Sequence, residues 1–191
     1  MTKNNIKSVS VFCGSRNGRK ESYKKAAIEL GALIAELELT LVYGGGNVGL
    51  MGALATSAQQ NGCKITGIIP KHLFDKEVAK ANLNELIITK DMHQRKKLMY
   101  QKSDAIIVLP GGVGTLDEFF EILTWAQLGL HKKKIVLLNI DNFWNPLLEL
   151  ITHQVKSGFM ELSISNLFTQ FNSAKKTMDY LLDSNRQLST E

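Results

Sequence analysis

Cysteine, proline and long apolar runs are all scarce in this chain of 191 residues. Its two cysteines, Cys13 and Cys63, form neither a disulfide framework nor a zinc module, so both are predicted to be buried thiols. The three prolines form no linker, residues 1–8 do not open a signal peptide, and no stretch reaches the roughly 18 apolar residues of a membrane span. We therefore expect one domain over residues 1–191, located in the cytoplasm and not on a membrane.

The sequence also lacks the motifs of several reaction classes. Its four histidines show no metal-binding spacing such as His-Glu-x-x-His, and there is no Gly-x-Ser-x-Gly nucleophile elbow and no Walker A lysine. These absences argue against a metal site, acyl-enzyme chemistry and hydrolysis of nucleoside triphosphates. The net charge of +5 comes from scattered basic residues, which favours an anionic small molecule over polymeric nucleic acid as the ligand.

Short apolar runs alternate regularly with longer amphipathic segments. Predicted strands cover 8–13, 40–43, 64–69, 85–89, 104–109 and 134–139, and predicted helices cover 23–38, 49–61, 92–102, 115–130, 146–156 and 174–182. This alternation is typical of parallel β-α units. It predicts an α/β fold with a doubly wound parallel sheet and helices on both faces.

Glycine-rich segments follow three of the predicted strands. They are Gly14-Ser15-Arg16 after the first strand, Gly44-Gly45-Gly46 after the second and Gly111-Gly112-Val113-Gly114 after the fifth. Ligands of doubly wound sheets bind beyond the carboxyl ends of the strands. We therefore expect one site assembled from several of these loops.

The second glycine segment also has the spacing of a dinucleotide-binding fingerprint, at Gly44, Gly46 and Gly49. The fingerprint requires an acidic residue at the end of the next strand, but that strand ends at Ile69-Pro70-Lys71. NAD is therefore disfavoured as a ligand. Tight backbone packing and contact with another ligand are the two alternative roles for these glycines.

The segment 110–118, Pro-Gly-Gly-Val-Gly-Thr-Leu-Asp-Glu, combines a glycine loop with two carboxylates at the start of a predicted helix. Free backbone amides and the positive end of the helix dipole suit a phosphate. Because carboxylates are poor phosphate ligands, Asp117 and Glu118 are expected to face the uncharged part of a phosphorylated ligand, as hydrogen-bond acceptors or as a general base. The alternative is a capping box, in which Thr115 caps the helix and Glu118 satisfies a backbone N–H.

A second candidate segment begins a helix directly after the fourth predicted strand. Asp91 is a suitable N-cap, and Arg95 and Lys96 point about 100° apart, so one is expected to face the crevice while the other stays in solvent. Arg95 has the planar guanidinium needed to hold a phosphate or a carboxylate through two hydrogen bonds. The alternative is a solvated basic face of the helix.

Four motifs in order make this chain resemble the LOG family, the cytokinin riboside 5'-monophosphate phosphoribohydrolases, formerly labelled possible lysine decarboxylases. The motifs are Val-Phe-Cys-Gly-Ser at 11–15, Tyr-Gly-Gly-Gly at 43–46 with Gly-Leu-Met-Gly at 49–52, Met-His-Gln-Arg-Lys at 92–96, and Pro-Gly-Gly-Val-Gly-Thr at 110–115 with Glu118. The resemblance implies a Rossmann-like fold, a homodimer without a cofactor, and hydrolysis of the N-glycosidic bond of AMP or of N6-substituted adenosine 5'-monophosphates. The products are the free base and ribose 5-phosphate.

The resemblance also assigns roles to residues. It implies that Arg95 and Glu118 are catalytic. It places Gly14, Ser15, Gly45, Gly46, Glu77, Met92, Lys96, Gly111, Gly112, Val113, Gly114, Thr115, Asp117 and Thr124 in the substrate site. This chain departs from the family pattern at Asp117, where a second glutamate is usual, and at Arg16, where a small residue is common.

The implied mechanism has Glu118 stabilise the positive charge that develops on the sugar and activate water, while Arg95 holds Glu118 ionised. One alternative is a carrier protein of the same fold, which binds a nucleotide or a cofactor without cleaving it. A second alternative is a pyridoxal phosphate-dependent decarboxylase, but no lysine lies in a context that recommends it.

Overall fold

A computed structural model describes residues 6–74, 76–77 and 79–183, and its centre is a seven-stranded sheet in which every pair of neighbours is parallel. The strands are β1 (Ser8–Phe12), β2 (Thr40–Tyr43), β3 (Lys64–Pro70), β4 (Glu85–Thr89), β5 (Ala105–Val108), β6 (Ile135–Leu138) and β7 (Thr169–Phe171). Their order across the sheet is β4-β3-β2-β1-β5-β6-β7. The prediction of a doubly wound, Rossmann-like parallel sheet is confirmed.

Six α-helices connect or follow the strands in the described residues. They are α1 (Glu21–Glu36), α2 (Gly49–Gln60), α3 (Met92–Gln101), α4 (Val113–Gln127), α5 (Asn145–Lys156) and α6 (Ala174–Leu182). All six predicted strands and all six predicted helices are present, with most boundaries within one or two residues. Among the strands and α-helices of the described residues, the sequence patterns missed only β7, a three-residue strand at the sheet edge. None of the helices described is both long and apolar enough to cross a bilayer.

Two apolar cores cover the two faces of the sheet, because successive strand side chains point to opposite sides. In β5, Ala105 and Ile107 belong to one core, whereas Ile106 and Val108 belong to the other. Helices α1, α2 and α6 pack on the first core, and α3, α4 and α5 pack on the second. Cys13 and Cys63 are both buried free thiols in the first core, as predicted.

The strand order reverses between β1 and β5, which makes this pair the switch point of the sheet. Chain connections leave β1 towards one edge and β5 towards the other, so the loops beyond their carboxyl ends diverge and leave a crevice. A hydrogen bond from the Gly14 amide to the Pro110 carbonyl (3.0 Å) holds the two loops side by side at the base of that crevice.

Candidate active site

One cavity of about 490 Å³ opens at this crevice. Its walls come from the loops that follow β1, β2 and β5, from the segment after β3, from the start of α3 and from Phe143 beyond β6. The predicted site residues that line it are Gly14, Ser15, Glu77, Met92, Arg95, Gly111, Gly112, Val113, Gly114, Thr115 and Glu118. The predicted residues Gly45, Gly46, Lys96, Asp117 and Thr124 lie outside these walls.

The candidate phosphate loop, residues 111–115, forms the N-terminus of α4. The helix begins at Val113, Gly112 is its N-cap, and no side chain caps it. The first amide to bond back into the helix is that of Leu116, which donates to the Gly112 carbonyl (3.1 Å), so the amides of residues 113–115 precede the helical ladder. The capping-box alternative is therefore wrong, because the helix starts two residues before Thr115.

Packing within the protein does not explain the glycines at 112 and 114. A Cβ atom at either position would meet no heavy atom within 4 Å, and neither residue has a positive φ. Gly111 differs, because a Cβ there would collide with the side chain of Thr115. Two glycines thus leave the loop surface open where a ligand would approach the amides, and the third makes room for Thr115.

Main-chain carbonyls hold Arg95 in place. Asp91 is the N-cap of α3, as predicted, and its side chain accepts the Gln94 amide (2.8 Å). Arg95, which is 4% exposed, donates from Nε to the Ile68 carbonyl (3.1 Å) and from Nη2 to the Gly44 carbonyl (3.0 Å). A Cβ at Gly44 would collide with this guanidinium, so the glycine makes room for it. The ends of β2 and β3 therefore fix the position of Arg95.

Glu77 is the ion-pair partner of Arg95, with 3.6 Å between Nη2 and Oε2. Burial raises the pKa of Glu77, and the charge of Arg95 partly offsets that rise. The segment that carries Glu77 is tied to the second glycine loop, because the Asn47 amide donates to the Glu77 carbonyl (2.9 Å) and the Lys80 amide donates to the Gly45 carbonyl (3.0 Å). Gly45 and Gly46 of this loop thus lie outside the cavity wall, and the loop positions Glu77.

Glu118 projects from the first turns of α4 into the cavity and is 8% exposed. Within the described residues it has no ion pair shorter than 4 Å. Burial raises the pKa of Glu118 to about 7, against a smaller lowering by Arg95. The expectation that Arg95 holds Glu118 ionised needs correction, because burial outweighs the charge of Arg95 and Arg95 pairs directly with Glu77.

Lys96 joins α3 to α4 outside the cavity. Its side chain is 8% exposed, and its Nζ lies 3.0 Å from Asp117 Oδ2 and 3.2 Å from Glu121 Oε1. Burial lowers the pKa of Lys96, but the two carboxylates raise it by more. The expectation that one of Arg95 and Lys96 stays in solvent, and the alternative of a solvated basic face, are wrong for this pair. Within the chain, Asp117 contacts Lys96 and does not line the cavity. Thr124 is exposed further along α4.

Each glycine of the fingerprint-like segment has a packing role beside this site. Gly44 faces the guanidinium of Arg95, and a Cβ at Gly46 would lie 3.1 Å from the Cβ of Glu77. Gly49 has a φ of +58° and packs directly against the peptide between Ser15 and Arg16. The spacing that matches a dinucleotide fingerprint is thus explained by the close approach of neighbouring segments.

Sequence reasoning missed part of the cavity wall. The additional lining residues include Asn17, Gly18, Tyr23, Met51, Leu73 and Phe143, and the rings of Tyr23 and Phe143 meet edge to face at 5.6 Å. The sequence signal for these residues was their position shortly after a predicted strand. Their residue types alone do not indicate a ligand site. Of the described residues, none that lines the cavity is a lysine, and no three His, Cys, Asp or Glu come together as a metal site.

This doubly wound sheet, with an amide-lined loop and with one buried and one partly buried carboxylate at its switch point, defines a Rossmann-like protein suited to a small anionic ligand. A family model described as "Possible lysine decarboxylase" matches residues 51–181. The chain belongs to this family, the LOG family.

Its relatives include the cytokinin riboside 5'-monophosphate phosphoribohydrolases LOG7 and LOG1 of Arabidopsis thaliana. The first is 43% identical over 180 residues, which cover 94% of this chain and 83% of the relative. The second is 44% identical over 178 residues, which cover 93% of this chain and 84% of the relative.

More distant solved structures share the fold. A molybdenum cofactor binding protein from Rippkaea orientalis has a TM-score of 0.67 at 24% identity, covering 95% of this chain and 96% of that protein. A Moco carrier protein from Chlamydomonas reinhardtii has a TM-score of 0.66 at 21% identity, covering 92% of this chain and 96% of that protein.

Proposed function

We propose that this chain is a phosphoribohydrolase that hydrolyses the N-glycosidic bond of AMP or of N6-substituted adenosine 5'-monophosphates, releasing the base and ribose 5-phosphate. The observation that carries the proposal is the placement of two carboxylates, the buried Glu118 and the partly buried Glu77, and a fixed Arg95 in the same cavity as the amide loop 111–115. The names of the relatives, which reach 44% identity, support the same activity.

In this proposal the 5'-phosphate lies against the amides of residues 111–115. These amides precede the helical ladder of α4, and the positive end of the helix dipole adds to their attraction for an anion. The open positions at Gly112 and Gly114 let the phosphate approach the backbone closely. The ribose then extends towards Glu118, which lies one turn further along the same helix.

Cleavage passes through a state with positive charge on the sugar, as in glycoside hydrolysis. Glu118 stabilises that charge and accepts a proton from the attacking water, whose oxygen bonds to the anomeric carbon as the bond to the base breaks. The proton is then returned to the departing base. A pKa of about 7 suits this exchange near neutral pH. Arg95 and Glu77 supply a fixed charge pair beside the sugar.

We also propose that the enzyme is a homodimer in the cytoplasm. Thr124 is exposed on α4 and outside the cavity of its own chain, and a second copy packed on this helix would account for a substrate role for it. Val113 and Leu128, at the two ends of α4, are 83% and 68% exposed, which favours a partner on this face. Sedimentation equilibrium tests the dimer: a monomer at micromolar concentration would contradict it.

The activity is tested by incubating the purified protein with AMP, N6-isopentenyl AMP, GMP and CMP and measuring the free base. We expect release from the adenine nucleotides, and a loss of about 10²–10³-fold in Glu118→Gln, which keeps the shape of the side chain and removes its charge. AMP that stays intact and bound at one equivalent would instead support the carrier alternative. A bound chromophore near 400 nm would support the decarboxylase.

A further inference from the structure

We propose that Arg16 binds the 5'-phosphate of the substrate together with the amide loop and strengthens the preference of this enzyme for phosphorylated substrates over nucleosides. The inference rests on the proposed function and adds to it a residue outside the four motifs on which the family resemblance rests. It follows from the distribution of charge around the cavity and from the way the segment 14–16 is held.

Only two basic side chains are found among the described residues that line the cavity, those of Arg16 and Arg95. Arg95 is already engaged, because its Nε and Nη2 donate to the carbonyls of Ile68 and Gly44 and its charge is paired with Glu77. Its guanidinium cannot move to a phosphate without breaking buried hydrogen bonds, and leaving such carbonyls unpaired is costly. The charge of Arg95 is therefore engaged by Glu77 and is not available to a phosphate.

Arg16 is exposed and, in the described part of the chain, makes no ion pair. Its main chain is nevertheless fixed on two sides. The first residue of α2, Gly49, packs against the Arg16 amide, and a Cβ on Gly14 would lie 3.2 Å from both the Arg16 carbonyl and the Gly111 Cα. The backbone of Arg16 is thus adjacent to the start of the phosphate loop, with its side chain free to reach a ligand there.

The charge of the ligand supplies the reason for a second contact. A phosphate monoester carries close to two negative charges at neutral pH, whereas a helix N-terminus supplies roughly half a positive charge. Of the two carboxylates that line the cavity among the described residues, Glu77 is paired with Arg95, and neither Glu77 nor Glu118 forms an ion pair with Arg16, so the charge of Arg16 is left for the phosphate. A bidentate contact from a guanidinium supplies the missing charge.

The test uses Arg16→Gln, the conservative variant Arg16→Lys, and Arg19→Gln as the matched control. Arg19 is an exposed arginine of the same loop that does not line the cavity. The measurements are kcat and KM for AMP, and calorimetric dissociation constants for ribose 5-phosphate and for unphosphorylated ribose. We expect Arg16→Gln to raise the KM for AMP and the dissociation constant of ribose 5-phosphate about tenfold to a hundredfold, with kcat within about twofold.

The variant Arg16→Lys should recover part of this loss, Arg19→Gln should match the parent, and ribose binding should be the same in all four proteins. Unchanged affinity for ribose 5-phosphate in Arg16→Gln, or an equal loss in Arg19→Gln, would overturn the role of Arg16. A parent protein that fails to cleave AMP would overturn the proposed function alone, because the ribose 5-phosphate affinities of the parent and of Arg16→Gln still test the phosphate contact of Arg16.

Discussion

Replacing Glu118 by glutamine should stabilise the fold while it removes the activity. Glu118 is 8% exposed and has no ion-pair partner within 4 Å in the described residues, so folding moves its charge out of water without direct compensation. The pKa of about 7 in the folded protein, against 4.5 as the ordinary value, corresponds to about 3 kcal/mol of unfolding free energy. Glutamine has nearly the same shape and carries no such penalty.

The sign of the pH dependence follows from proton binding. Between pH 4.5 and about 7 the folded protein keeps the proton on Glu118, whereas the unfolded chain has released it. The folded state therefore binds more protons in this window, and its stability falls as the pH rises. We expect Glu118→Gln and the parent to unfold with similar free energies near pH 4.5, and the variant to be more stable by about 3 kcal/mol at pH 8.

Urea unfolding followed by circular dichroism at pH 5, 6, 7 and 8 measures this difference, provided that the slope with denaturant is the same for both proteins. In a chain of this length the full effect equals a rise in Tm of roughly 6–10 °C. Glu161→Gln, at an exposed glutamate outside the cavity, is the matched control. A stability difference that stays constant from pH 5 to pH 8 would refute the argument that Glu118 is buried with a raised pKa.

Three further changes test other parts of the site. Gly44→Ala should displace the guanidinium of Arg95 and lower kcat/KM about 10²-fold. Added to Arg95→Ala, which removes the collision, it should have little effect on the unfolding free energy, and an undiminished loss of stability in that double variant would disprove the packing role of Gly44. Gly114→Ala should leave the stability unchanged or raise it by about 0.5 kcal/mol, since α4 gains a better helix former, yet it should raise the KM for AMP; an unchanged KM would argue against close phosphate approach. Asp117→Asn should lower the unfolding free energy by about 1 kcal/mol, because it weakens the pair with Lys96, and should change the KM for AMP by less than twofold. A tenfold rise in the KM for AMP would instead mean that Asp117 contacts the ligand.

The local patterns of the sequence predict most of the fold, because all strands but one are largely apolar runs of four to seven residues, three of them followed by a glycine-rich turn, and its helices have clear periodicity. The exception is β7, Thr-Gln-Phe, which is too short and too polar to show a pattern and pairs only at the sheet edge through β6. The start of α4 was placed too late for a related reason. Its N-cap, Gly112, has no side chain that could reveal it, whereas Thr115 and Glu118 imitate a capping box.

The site was less predictable than the fold, because its decisive contacts join distant segments. Arg95 depends on carbonyls of Ile68 and Gly44, and carbonyls leave no trace in the choice of side chains. Lys96 belongs to the segment Met-His-Gln-Arg-Lys-Lys, which looks like a solvated helix face until α4 supplies Asp117 and Glu121. The raised pKa of Glu118 likewise depends on its burial in the folded chain and could not be read from its neighbours in sequence.

The attachment of Arg95 to main-chain oxygens has a consequence for how this protein can diverge. An arginine held by side chains loses a contact when any one of its partners mutates, whereas the Ile68 carbonyl survives almost every substitution at position 68, and position 44 is restricted to glycine because the guanidinium needs the space. The walls formed by Tyr23, Leu73 and Phe143 are therefore free to vary in size and polarity without moving the guanidinium. Libraries directed at these three positions should yield altered base selectivity with the cleavage step retained, which makes the cavity a practical scaffold for new nucleotide hydrolases.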